Sequence, residues 1–198
     1  MNHRTLGAVG SVSEIGYGSW QIGGDWGDVS VAEARQAVET ARESGIDFFD
    51  TADVYGDGRS ERILGDVLRE DIDRSEVTIA TKAGRRLDPH TTEGYTEANL
   101  RRFVDRSREH LGVDALDLLQ LHCPPTDVYY RPSVFEALAT LREEGRIERY
   151  GVSVERVEEG LKAMTYSGVE SVQIIFNPFR QRPAELFFEE AAARDVGV

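Results

Sequence analysis

Gly45-Ile46-Asp47-Phe48-Phe49-Asp50-Thr51-Ala52-Asp53-Val54-Tyr55-Gly56-Asp57-Gly58 joins a helix stop to a short apolar strand, which delivers an acid and then a phenol onto a glycine-loosened turn. Outward from this unit the same alternation repeats. Strand-like runs fall at residues 14–19, 46–51, 77–82, 116–121, 149–154 and 171–176. Helical patterns lie between them over Val31 to Ser44, Glu61 to Leu68, Thr96 to Leu111, Ser133 to Glu144, Val157 to Met164 and Ala184 to Arg194. Gly45, Gly112 and Gly145 stand where a helix needs a left-handed stop. A succession of strand-then-helix units builds a parallel sheet.

Such a sheet either stays open and doubly wound or closes as a barrel. The glycine-dense strand exit Gly16-Tyr17-Gly18-Ser19-Trp20-Gln21-Ile22-Gly23-Gly24 has Gln21 where the third glycine of a dinucleotide fingerprint belongs, and no Walker loop is present. The expected fold is therefore α/β, a TIM (β/α)8-type barrel forming a single domain over residues 1–198, with functional groups at the C-terminal ends of strands. A closed barrel needs eight units and typically ~250 residues. The sequence supplies about six, with Asp195-Val196-Gly197-Val198 reading as entry to a seventh strand, so the chain reads as truncated before its seventh and eighth units. Parallel edges left unpaired in this way invite self-association.

Composition narrows the class. With 198 residues and 40% hydrophobic content, one sizeable core is within reach. The 36 acidic against 23 basic residues, net −13, are spread over helical faces, which makes nucleic acid a poor partner. Spread acidity with only Lys82 and Lys162 among the basic residues suggests a halophilic source. A single cysteine, Cys123, rules out an intramolecular disulfide and multi-thiolate metal sites. The first residues carry no long apolar signal region, and no run approaches the ~18 apolar residues of a membrane span, so a cytoplasmic, membrane-free setting is expected.

Two later strands, Val77 to Lys82 and Leu116 to His122, each end on one ionisable residue where the apolar run stops. Asp50, Tyr55, Lys82 and His122 then share one rim. Hydride reduction of a carbonyl needs a proton for the new alkoxide, and a phenol of pKa ~10 yields one when its anion is stabilised. Lys82 is placed to lower the pKa of Tyr55, Asp50 to hold Lys82 charged, and a neutral His122 to orient and polarise a carbonyl oxygen. Singly, each residue also reads as strand-end chemistry: Asp50 as a turn cap, Lys82 as a solvated end, Tyr55 and His122 as rim packing. An ammonium here, in a chain that elsewhere uses arginine almost throughout, hints that a compact point charge is wanted.

These residues resemble the aldo-keto reductase family. The likeness runs from Arg4-Thr5-Leu6-Gly7 through Glu14 to Gly23, Asp50 to Gly58 with Ser60-Glu61, Thr81-Lys82, Leu116 to His122, Tyr150-Gly151-Val152-Ser153 and Val172-Gln173-Ile174. The resemblance implies a TIM barrel with an N-terminal hairpin, Asp50, Tyr55, Lys82 and His122 as catalytic tetrad, and Tyr55 as general acid. It implies NADP(H) as cofactor, with NAD(H) as the alternative, and a small-molecule aldehyde or ketone as substrate. Ser153 and Gln173 match the positions that hold the nicotinamide carboxamide, and Ser19 and Trp20 match places lining the nicotinamide and the substrate mouth. Val154 stands where the family commonly has an asparagine, removing one amide contact. The family's pyrophosphate and adenosine contacts follow the seventh and eighth strands, so this polypeptide is expected to bind cofactor poorly.

Two other readings are carried. One is a Schiff-base aldolase using Lys82 as nucleophile, which leaves Asp50 and Tyr55 unexplained. The other is a catalytically weak or inactive barrel serving as a binding or regulatory subunit. No metal site is expected, since His3, His90 and His110 show no ligand spacing. Cys123 is expected to face away from His122 as a buried small hydrophobe. Trp26, Tyr129 and Tyr130 are expected in loops above the rim.

Overall fold

The computed structural model describes residues 1–24, 27–70 and 76–198; Trp26 lies outside the described residues. A two-stranded antiparallel ribbon, β1 (His3–Thr5) with β2 (Ser11–Ser13), opens the chain. Behind it runs a parallel sheet of β3 (Tyr17–Gly18), β4 (Phe48–Asp50), β5 (Thr78–Ala83), β6 (Leu116–His122), β7 (Ile147–Val154) and β8 (Val169–Ile174), paired in chain order. The connections carry α1 (Val31–Glu43), α2 (Arg59–Glu70), α3 (Glu97–Leu111), α4 (Pro132–Glu143) and α5 (Val157–Ala163), and α6 (Phe187–Ala193) follows β8. No helix among the described residues is long and apolar enough to cross a membrane.

Local chemistry explains the elements. Ser30 caps α1 through a reciprocal box, its Oγ accepting from Glu33 N at 3.2 Å while the Glu33 carboxylate accepts from Ser30 N at 2.9 Å. Ala34, Val38 and Ala41 then form the buried stripe of that helix. Gly45, Gly112 and Gly145 all take positive φ at the helix stops, as their sequence positions require.

Strand alternation sorts side chains into two layers. Phe49, Ile79, Leu119, Leu121, Val152 and Val172 join the cluster formed with the helices. Phe48, Asp50, Leu118, Gln120, Ser171 and Gln173 line an inner cleft of about 460 Å³. The sheet is strongly curled. Asp50 on β4 and Gln173 on β8 stand four strands apart, roughly 19 Å in a flat sheet, yet Gln173 Nε2 donates to Asp50 Oδ2 at 3.1 Å. The result is a six-stranded half-barrel.

Several boundaries differ from the sequence reading. The first sheet strand, expected over 14–19, pairs only at Tyr17–Gly18, because Glu14 N is drawn to Asn2 O at the ribbon. β8 begins and ends two residues earlier than expected: Val169 already pairs with Tyr150, and past its end Asn177 Oδ1 accepts from Phe179 N and Arg180 N and turns the chain out of the sheet. Ala184, expected to open the last helix, instead closes a separate 3-10 turn over Arg182–Ala184 that holds Pro183, and α6 starts at Phe187. The expected strand entry at 195–198 is present as one parallel bridge, Gly197 beside Ser171, with Gly197 N donating to Glu170 O at 2.9 Å.

Candidate active site

The parallel register carries the site. His122, Ser153 and Gln173 stand level across β6, β7 and β8, and Gly18 and Asp50 stand level across β3 and β4. All lie at the C-terminal ends of their strands, where strand polarity delivers them to one mouth.

Lys82 is 2% exposed and donates to Asp50 Oδ1 at 2.6 Å and to Thr51 O at 2.8 Å. Burial pushes its pKa down, while the Asp50 carboxylate works against that shift. The ammonium lies 5.3 Å from the centroid of the Tyr55 ring. Tyr55 meets His122 edge-on at 5.9 Å between ring centroids and stacks on Trp20 at 6.1 Å and 25°. Burial, with the Lys82 and Arg85 charges adding to it, pushes His122 down to about 3, so its ring is neutral at ordinary pH, as the sequence reading expected. Its Nδ1 is buried without a hydrogen-bond partner among the described residues.

One electrostatic expectation is corrected. Lys82 does not lower the Tyr55 pKa on balance: burial pushes the phenol up to about 12, and the Asp50 charge adds to the rise. The ammonium is already paired with that carboxylate, whose own charge acts on the phenol in the same direction as burial.

Other residues fall as follows. Trp20 is 43% exposed at the mouth. Ser19 is wholly buried, its hydroxyl donating to Asp50 O at 2.8 Å with Ser60 Oγ 2.7 Å away, so it braces the strand end instead of facing the cleft. Ser153 is nearly buried with its Oγ 3.4 Å from Cys123 Sγ, and Val154 is buried. Cys123 differs from expectation: β6 stops at His122, Cys123 adopts φ 43°, and its half-buried thiol turns toward Ser153. Tyr129 is core, not loop surface, whereas Tyr130 is exposed with the Lys162 ammonium 5.4 Å from its ring. No group of acidic, histidine or cysteine residues suited to a metal ion occurs among the described residues.

Sequence reasoning missed the layer behind the site. Glu61 is fully buried, accepting from Thr81 Oγ1 at 2.7 Å and lying 3.0 Å from His110 Nδ1. Arg62 donates to His110 Nε2 at 3.1 Å, so the imidazole carries its proton on Nδ1 and donates to Glu61. Asp53 is buried, and neither carboxyl oxygen has a hydrogen-bond partner among the described residues. The available signal was Thr81, a polar residue between Ile79 and Ala83 on the otherwise apolar helix-facing side of β5.

An acid–ammonium pair, a phenol and a neutral imidazole thus meet at the C-terminal mouth of a curled βα sheet, and the fold is of the α/β barrel type. Residues 14–198 match the Aldo/keto reductase family. Among curated proteins, the chain is 32% identical over 189 residues to the uncharacterized oxidoreductase YqkF of Bacillus subtilis, covering 93% of this chain and 59% of that one. It is 30% identical over 190 residues to the aldo-keto reductase YhdN of the same organism, covering 93% and 56%. Among solved structures, the holo form of aldo-keto reductase AKR11C1 from Bacillus halodurans superposes with a TM-score of 0.85 at 30% identity, covering 99% of this chain and 64% of that one. The chain belongs to the aldo/keto reductase family. It spans somewhat under three fifths of the length of these curated relatives.

Proposed function

We propose that the chain carries the acid–base centre of an oxidoreductase that reduces an aldehyde or ketone to an alcohol, or runs the reverse oxidation. The observation that carries this reading is the 2.6 Å Asp50–Lys82 pair beside the Tyr55 ring, with His122 neutral and edge-on to the same phenol. The cofactor proposed is NADP(H), with NAD(H) as the alternative. Ser153 and Gln173, level on adjacent strands, offer a hydroxyl and an amide suited to a carboxamide, while Val154 offers none. A bound nicotinamide supplies the hydride.

The chain's own residues supply the rest. Tyr55, held protonated by its raised pKa, is a proton source for an alkoxide forming at its oxygen, and that oxyanion is the stronger base. His122, neutral, presents a ring nitrogen to the carbonyl oxygen and fixes its direction. Lys82 offers positive charge as the phenolate forms, and Asp50 keeps that ammonium charged and in place. Trp20, stacked on Tyr55, walls the mouth.

A Tyr55→Phe variant tests the reading. It is expected to lose carbonyl reduction by about 10²- to 10⁴-fold, followed as NADPH absorbance with a panel of aldehydes. Retained turnover in the variant would remove Tyr55 from the role. The aldolase reading draws on the lowered Lys82 pKa, but its ammonium is engaged by two acceptors and is poorly placed to attack a carbonyl. Borohydride trapping of a substrate on Lys82 would restore it. A cytoplasmic setting is part of the same proposal.

A further inference from the structure

Tyr55 stands on a turn that its own sequence makes awkward. Residues Tyr55–Gly58 form a 3-10 turn in which Gly56 and Asp57 both take left-handed angles, φ 56° and 53°. Glycine accepts this freely, whereas a residue with a Cβ needs support from its surroundings. One side of the turn is closed, since a Cβ on Gly56 would lie 2.0 Å from Gly23 O.

The other side is held by α3. Arg106 Nη1 donates to Asp53 O at 3.3 Å, and Nη2 donates to Asp57 O at 2.9 Å and to Asp57 Oδ1 at 2.6 Å. One planar guanidinium thus grips the main chain two residues before Tyr55 and two residues after it. Arg86, just beyond β5, also donates to Asp57 Oδ1. The Asp57 side chain is 73% exposed, so as an ion pair in water the contact contributes little. Its value is geometric: a rigid fork of donors fixes the separation of two carbonyls, which a flexible point charge does not do.

We propose that Arg106 is a positioning residue for the site: by bridging the Asp53 and Asp57 carbonyls it holds the left-handed turn that keeps the Tyr55 phenol beside Lys82 and His122. Arg106 touches none of the reacting groups. The inference rests on the reading of Tyr55 as proton donor, and a turnover-free measurement separates the two.

The experiment compares wild type with Arg106→Met and with Arg106→Lys, which keeps stem and charge but not the fork. Two readouts are taken: steady-state carbonyl reduction, and ¹⁹F NMR of protein labelled with 3-fluorotyrosine, with the Tyr55 signal assigned through Tyr55→Phe. The expected result is a kcat on the order of a hundredfold lower at little-changed KM, with a single sharp Tyr55 resonance becoming broadened or split while the other tyrosine signals and the thermal midpoint hold. Arg106→Lys should show the same Tyr55 change, which carries the test if Arg106→Met does not fold. An unchanged Tyr55 resonance in the folded variant overturns the inference, whatever kcat does. An altered resonance in a protein whose wild type reduces no carbonyl upholds the positioning role and overturns the reductase reading instead.

Discussion

Asp53 places a carboxyl group in the interior with no donor for either oxygen among the described residues. Burial raises its pKa to about 7, the neighbouring Glu61 charge adds to the rise, and Arg86 and Arg106 oppose it. The folded value lies above the ordinary 3.8, so between those values the native chain keeps a proton that the unfolded chain releases. The stabilisation from that proton is full below about pH 4 and is lost as pH rises to about 7. Asp53→Asn removes the ionisation, so its stability relative to wild type is expected to climb between about pH 4 and pH 7 and level off above, measured by urea unfolding across that range. A flat difference would mean that the carboxyl finds compensation in solution. At this scale Asp50, Lys82 and His122 were legible because each ends an apolar run, and Tyr55 because glycines frame its turn. Asp53 was not, since it lies in the same stretch as Asp50 and nothing in its spacing marks which carboxyl turns inward. The direction of the Tyr55 shift was also illegible, because it depends on how deeply the fold buries the phenol and on the Asp50 charge beside it.

The start of α1 rests on a reciprocal side-chain cap. Ser30 closes both halves of the box at the start of α1, so Ser30→Ala is expected to lower stability by about 1 kcal/mol, read as a shift in the urea midpoint at unchanged slope. A change within error would show that tertiary packing of Ala34, Val38 and Ala41 sets the end of the helix instead. The glycine stops were readable because only glycine takes the φ they need cheaply. Strand ends were less so: the pull of Glu14 toward Asn2 and the turn built by Asn177 arise from hydrogen bonds that an apolar run does not announce. The bracing of Ser19 by Ser60 is of the same kind, linking residues far apart in sequence through a contact that only the folded sheet creates.

Across the molecule, the curl of the sheet decides what the site can be. Six units were countable from periodicity, and strand polarity put their C-terminal ends on one side. What no periodicity encodes is how far the sheet rolls, and that roll is what lets Gln173 reach Asp50. Among the described residues, β3 pairs only with β4, and beyond β8 the sheet continues only as the Gly197 bridge. Parallel edges so exposed are templates for further pairing. The 198-residue chain is therefore expected to self-associate, its weight-average mass rising with concentration in sedimentation velocity. A constant monomer mass into the high micromolar range would show that the net charge of −13 keeps the edges apart.

The stacked Trp20–Tyr55 pair gives the mouth an optical reporter. The chain contains two tryptophans, so a Trp26→Phe background leaves Trp20 as its sole indole, with 43% of its surface open to solvent. Whatever enters beside the phenol changes the polarity around that indole, and its emission then reports occupancy in real time without any chemical turnover.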